Sequence, residues 1–201
     1  MLGLAISTML WSQSQFNMAP WFEGAIQLNS DHVIKGKIHY NPMLNIVVCQ
    51  SSNQLKAYSA FSVEQFSFFD DGLNINRTFK TYNFDDYYKY GNRQFMEEII
   101  SGHLIFLRKK RKEVNPLGMK SVVFQKEEDY VKSAETYNYF MMKENQLVKV
   151  KNFRKQIKKL TRNAGEEFQK FIKALDLNKV YNQARAINYY NHLMSQSATS
   201  E

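Results

Sequence analysis

The chain has 201 residues, of which 44% are hydrophobic and 14% aromatic, a composition that buries a core and excludes a disordered chain. Three prolines and eight glycines leave no low-complexity linker, and the single cysteine, Cys49, excludes an internal disulfide and a cysteine-built metal site. The net charge of +8 is uneven: residues 1–100 carry 7 Lys+Arg against 9 Asp+Glu, and residues 101–201 carry 20 against 10.

The first fifteen residues, MLGLAISTMLWSQSQ, are uncharged. An apolar stretch followed by small polar residues matches the core and end of a secretory signal peptide, without its basic leader. The reading favoured is a truncated signal peptide over residues 1–15, cleaved near Ser12 to Gln15. The alternative is a buried first strand or helix. No stretch approaches the ~20 apolar residues of a membrane-spanning helix.

Residues 21–84 alternate apolar and polar side chains and break at Asn, Asp, Gly, Pro and Ser, the pattern of short strands joined by tight turns. Residues 21–28 place Phe22, Gly24, Ile26 and Leu28 on one face. Residues 33–40 place Ile34, Gly36, Ile38 and Tyr40 together, opposite Lys35, Lys37 and His39. Residues 44–50 form a nearly continuous apolar strand containing Cys49, expected as a small buried hydrophobe. Residues 56–69 read as one long strand with Phe on both faces, turning at Asp70-Asp71-Gly72 into residues 75–82. Residues 85–94 read as a loop, and the LIFL segment between Gly102 and Arg108 as a further strand. The runs 122–124, 136–142 and 147–150 read as three more.

The period then changes to that of helices. Val150, Phe153, Ile157 and Leu160 recur at helical spacing, opposite Arg154, Lys155, Lys158 and Lys159. Asn163-Ala164-Gly165 is expected to close this helix. Phe168, Phe171, Ile172 and Leu175 stripe a second, and Tyr181, Ala184, Ile187 and Leu193 a third. The fold class expected is α+β: an antiparallel meander forming a small barrel or sandwich over residues 16–142, then a helical region over residues 143–201 with two to three short helices.

Two groups of residues carry a family resemblance. One joins Glu23-Gly24, Val33-Ile34-Lys35-Gly36-Lys37-Ile38, Tyr40-Asn41, residues 56–71 and Arg77-Thr78-Phe79. The other joins Tyr139-Phe140, Gln146-Leu147-Val148, Phe153, Phe171-Ile172-Lys173 and residues 187–191. Together they resemble uncharacterised exported proteins of Bacteroidetes, with a β-rich front half and a small helical tail. The resemblance implies export and supplies neither an activity nor a functional residue.

Catalytic chemistry has no visible signature. His32, His39, His103 and His192 lack metal-ligand spacing, and Asp70, Asp71, Asn74, Asp85 and Asp86 lack the alternate oxygens of a calcium loop. No phosphate loop, nucleophile elbow or zincin motif is present. Glu97-Glu98, Glu127-Glu128 and Glu166-Glu167 are adjacent pairs whose side chains diverge. No enzyme and no cofactor is therefore expected. The candidate contact surface is basic: Arg108, Lys109, Lys110, Arg111 and Lys112, with Arg154, Lys155, Lys158 and Lys159. The function expected is a non-enzymatic binding or structural module of the periplasm or cell surface, facing another exported or envelope protein. The alternative is an intracellular nucleic-acid-binding module using the same basic half, with Tyr87, Tyr88 and Tyr90 for stacking. The competing reading of the charges is a solvated surface.

Overall fold

The structure is a computed structural model that describes residues 20–52, 54–84, 92–111 and 137–198. Residues 1–15, Asp85, Asp86, Tyr87, Tyr88, Tyr90, Lys112, Glu127, Glu128 and the run 122–124 lie outside the described residues. The described chain is α+β. Ten antiparallel strands form one open sheet: β1 (Phe22–Leu28), β2 (Val33–Asn41), β3 (Ile46–Ser51), β4 (Gln54–Ser59), β5 (Val63–Asp70), β6 (Ile75–Phe84), β7 (Asn92–Ile100), β8 (Ile105–Lys110), β9 (Tyr137–Lys143) and β10 (Gln146–Lys149). Three helices follow, α1 (Phe153–Leu160), α2 (Gly165–Ala174) and α3 (Val180–Ala198). The strand order is β10-β9-β8-β7-β6-β5-β1-β2-β3-β4, and the sheet does not close into a barrel. By contacts the chain divides into two compact units, residues 1–81 with 93–95, and residues 82–92 with 96–201.

In the first unit, alternation does what period-2 patterning requires. Ile26, Ile38, Cys49, Phe66, Phe68 and Phe79 bury on one face with Phe95, and Phe22, Ile34, Tyr40 and Tyr58 pack around them. The aromatic rings form a continuous cluster: Phe66 stacks on Phe79 at 4.7 Å and meets Phe95 edge-to-face at 5.0 Å, and Phe22 stacks on Phe68 at 4.7 Å. Arg77 sits over Phe68 and Phe79 while pairing with Asp70 at 3.2 Å, so this buried carboxylate is neutralised where it enters the core. Gly24 and Gly36 face each other across β1 and β2. A Cβ at Gly24 would lie 2.3 Å from the Ser67 carbonyl oxygen, and one at Gly36 2.3 Å from that of Gln50. Only glycine admits such close neighbouring backbone.

The unit also uses a side-chain amide in place of a strand. Asn45, at φ +56 in the β2–β3 turn, donates from Nδ2 to the Arg93 carbonyl at 3.1 Å and accepts on Oδ1 from the Phe95 amide at 2.9 Å. Its carboxamide thus presents to β7 the donor and acceptor a neighbouring peptide would offer. At the edge of the sheet, residues 54–57 of β4 are all exposed, with Lys56 opposite the buried Cys49. Two strands replace the single one expected over residues 56–69, because the chain turns at residues 60–62, where Ser62 donates to Ser59. Phe69, on the face opposite Phe66 and Phe68, is 38% exposed.

Residues 92–110 form two strands, β7 and β8, where only the LIFL segment was expected as one, and β7 begins inside the stretch read as a loop. The tight connection at residues 101–104 reverses the chain between β7 and β8. Glu97 and Arg108 are cross-strand partners in this hairpin, and a bulge between Glu98 and Ile100 leaves Ile99 exposed. The β9–β10 hairpin turns on Glu144 and Asn145, with φ +51 and +62, as a two-residue loop of the primed type demands. Ile100, Leu104, Phe106 and Met141 then bury against Phe153 and Ile157 of α1, Phe168 and Ile172 of α2, and Ala186, Ile187 and Tyr190 of α3.

The helices follow their apolar stripes with two corrections. Gly165, at φ +72, opens α2; α1 already ends at Leu160, with Thr161 as its C-cap. Tyr181 is 73% exposed, and the inward face of α3 is Gln183, Ala186, Ile187 and Tyr190. A second amide clamp holds α3. Asn191 Oδ1 accepts from the Leu104 amide at 2.8 Å, and its Nδ2 donates to the Ser101 and Leu104 carbonyls at 3.0 and 2.9 Å.

Candidate cationic interface

The segment from Lys143 to Ala198 contains 12 Lys+Arg and 4 Asp+Glu, so it holds as much positive charge as the whole chain carries net. Which of these cations face a partner depends on which the fold already uses. Arg108 is used: its Nε and Nη2 donate to the two Glu97 carboxylate oxygens at 2.7 and 2.8 Å, and its guanidinium lies 4.5 Å from the Tyr137 ring centre. This bidentate fork holds the carboxylate of a nearly buried glutamate on β7. Lys109 and Lys110 also have partners, and Arg111 is exposed just beyond β8.

Arg154 is used as well. Its Nη2 donates to the Leu175 carbonyl at 3.0 Å, and Nη1 to the Ile172 carbonyl at 3.4 Å, filling acceptors that the end of α2 leaves open. Lys143 does the same for α1: its Nζ donates to the Leu160 carbonyl at 2.9 Å, beneath the Tyr190 ring. Cations at helix C-termini also suit the dipole.

The remaining cations of α1 are different. Phe153, Ile157 and Leu160 turn inward, so Lys155, Lys158 and Lys159 project together into solvent, within about 100° of arc at 100° per residue. Lys151 and Arg162 flank them, both exposed. Among the described residues none of these five side chains has an acidic partner. The helix accepts this crowding because its start is firmly capped. Asn152 Oδ1 accepts from the Lys155 amide at 3.0 Å. Gln156 Oε1 accepts from the Lys151 and Asn152 amides, and its Nε2 donates to the Lys149 carbonyl at 2.8 Å. The first turn nonetheless contains no acid and places Lys155 near the positive end of the helix dipole. Lys158 and Lys159, in the last turn, do suit the dipole, so local stability accounts for those two but not for Lys155.

The structure thus separates eight of the nine basic residues singled out in the sequence, Lys112 lying outside the described residues. Lys155, Lys158 and Lys159 come together; Arg108 and Arg154 are committed elsewhere. Lys151 and Arg162 belong to the row but were missed, although each lies four residues from a member of it. Elsewhere, Tyr82 donates to Glu98 at 2.9 Å, and burial, with Glu98's charge and hydrogen bond behind it, pushes the phenol far above its ordinary range. Ser101 also bonds Glu98, on its other oxygen. His39 is held against the Trp21 ring with Nδ1 3.3 Å from the Pro20 carbonyl oxygen. No three His, Cys, Asp or Glu side chains converge among the described residues. No helix among the described residues is long and apolar enough to cross a membrane.

No protein-family model, characterised protein or solved structure matches this chain.

Proposed function

We propose that the protein is a non-enzymatic binding module, exported to the periplasm or cell surface, that meets an acidic component of the envelope through Lys151, Lys155, Lys158, Lys159 and Arg162. One observation carries the reading: five exposed cations, three on α1 and two flanking it, have no acidic partner among the described residues. Export is supported by the character of residues 1–15 and by the resemblance to exported Bacteroidetes proteins.

Two measurements test this. Retention on an immobilised sulfated polyanion should fall to a much lower eluting salt in the triple variant Lys155→Glu/Lys158→Glu/Lys159→Glu, whereas reversing Lys35 and Lys37 should leave it near wild type. Equal retention of the two variants would remove the helical row as the contact surface. Mass spectrometry of the native N-terminus in fractionated cells should find a chain beginning near Gln13 or Gln15 outside the cytosol. An intact Met1 in the cytosol would overturn export. The same cationic row would then favour the second reading, an intracellular nucleic-acid-binding module.

A further inference from the structure

A second exposed feature lies close to this row in the chain and bears on what the row meets. Arg154 ties the first turn of α1 to the carboxyl end of α2, and α3 begins five residues after Leu175. At that start Val180 is 37% and Tyr181 73% exposed, and Lys179 beside them is exposed too. Arg185, one turn on, lies 5.7 Å from the Tyr181 ring centre and holds it by a cation–π contact. An exposed tyrosine and valine flanked by cations suit the boundary between lipid headgroups and acyl chains, where an amphipathic ring has its apolar body covered and its hydroxyl wet. A nucleic-acid strand accounts for the lysines and can stack a base on Tyr181, but it offers the adjacent exposed Val180 no apolar medium to enter.

Resting on the reading of the α1 row as the contact surface, we infer that the acidic component is the anionic phospholipid surface of a bilayer. Lys151, Lys155, Lys158, Lys159 and Arg162 would supply the attraction, and Val180 and Tyr181 a shallow apolar anchor. The buried stripe of α1 stays within the protein core, so the association is peripheral and electrostatic: strong on anionic lipid, weak on zwitterionic lipid and screened by salt.

The test is co-sedimentation of the full chain with vesicles of phosphatidylcholine alone, or of phosphatidylcholine mixed with phosphatidylglycerol. Binding is expected only to the mixed vesicles and should weaken steeply between about 50 and 200 mM salt. Each lysine near the surface is worth about fivefold, so the triple reversal should lower the partition coefficient by at least about 100-fold. Tyr181→Ser should lower it severalfold while leaving the salt dependence unchanged. Circular dichroism and urea unfolding confirm that both variants fold. Wild-type protein that ignores anionic vesicles at low salt, or binding that survives the triple reversal, overturns the inference. If the wild type ignores vesicles yet the polyanion column still separates it from the triple variant, the lipid assignment falls and the cationic contact surface stands. Loss of both signals removes both. Binding to the mixed vesicles that is unaffected by Tyr181→Ser overturns the anchor.

Discussion

Asn191 is the sharpest place to test the structural reasoning, because one carboxamide makes three bonds to the connection between β7 and β8. In Asn191→Ala the Leu104 amide, on a residue with no exposed surface, loses its acceptor and the Leu104 carbonyl a donor, while the exposed Ser101 can turn its carbonyl to water. A buried orphan costs about 1–3 kcal/mol and an ordinary hydrogen bond about 1, so the variant should lose about 2–4 kcal/mol. That corresponds to a fall in Tm of about 4–16 °C for a chain of this size. Asn191→Asp keeps the acceptor for Leu104 but turns a carboxylate oxygen toward two carbonyls, which raises its folded-state pKa above the unfolded ~3.9. A group raised in this way contributes its full stability below about pH 4 and loses it as pH rises through the folded-state value. Urea unfolding of this variant from pH 3.5 to 7 should therefore show a deficit from wild type that widens with pH. A loss under about 0.5 kcal/mol for Asn191→Ala, or a deficit that narrows with rising pH for Asn191→Asp, would refute the clamp.

Gly24→Ala and Gly36→Ala each force a Cβ to within 2.3 Å of a carbonyl oxygen and should cost about 1–3 kcal/mol or more in urea unfolding, unlike substitution at Gly72, which has room. Lys155→Glu should raise stability by about 0.5–1.5 kcal/mol while weakening polyanion binding, because it satisfies the helix dipole and turns the repulsion with Lys159 into attraction. Opposite signs in the two assays distinguish a contact residue from a structural one. Tyr82 has a folded-state pKa raised above its ordinary value of about 10, so its contribution is complete below pH 10 and is lost as pH rises further. Tyr82→Phe should cost about 1 kcal/mol at neutral pH, from the bond to Glu98, and should flatten the alkaline fall in stability. Replacing Glu144-Asn145 by Asn-Gly should stabilise the β9–β10 hairpin by about 1 kcal/mol, since both positions have positive φ.

The first three strands were legible because β1 and β2 alternate, β3 is a short apolar run, and their turns use Asn, Asp and Pro. The turn between β4 and β5 was not, because Ala60-Phe61-Ser62 contains no Gly, Pro, Asn or Asp and Phe61 imitates a strand residue although it is 64% exposed. Strand β7 was hidden by the adjacent acids Glu97 and Glu98, whose hydrogen-bond partners lie on other strands: Arg108 eleven residues on and Tyr82 sixteen back. In α3 several apolar stripes are possible, and the sheet selects the one containing Tyr190 over the one beginning at Tyr181. The candidate site was legible in its charge and spacing. What the sequence hid was which cations are already spent: Arg154 reaches a carbonyl 21 residues away, a pairing that only the packing of α1 on α2 creates.

Because the sheet stays open, β4 has one side unpaired among the described residues, and its exposed residues include Leu55. A free strand edge is a template on which another chain can add itself, the first step toward aggregation. Lys56 stands at the middle of this strand, on the same side as Cys49. A strand added there would have to desolvate that ammonium group or lie beside it. At the opposite border β10 is only four residues long and ends in Lys149. Each border of the sheet thus carries one lysine that guards against fibre growth, and replacing Lys56 with valine is the single change that would leave β4 a smooth surface for self-association.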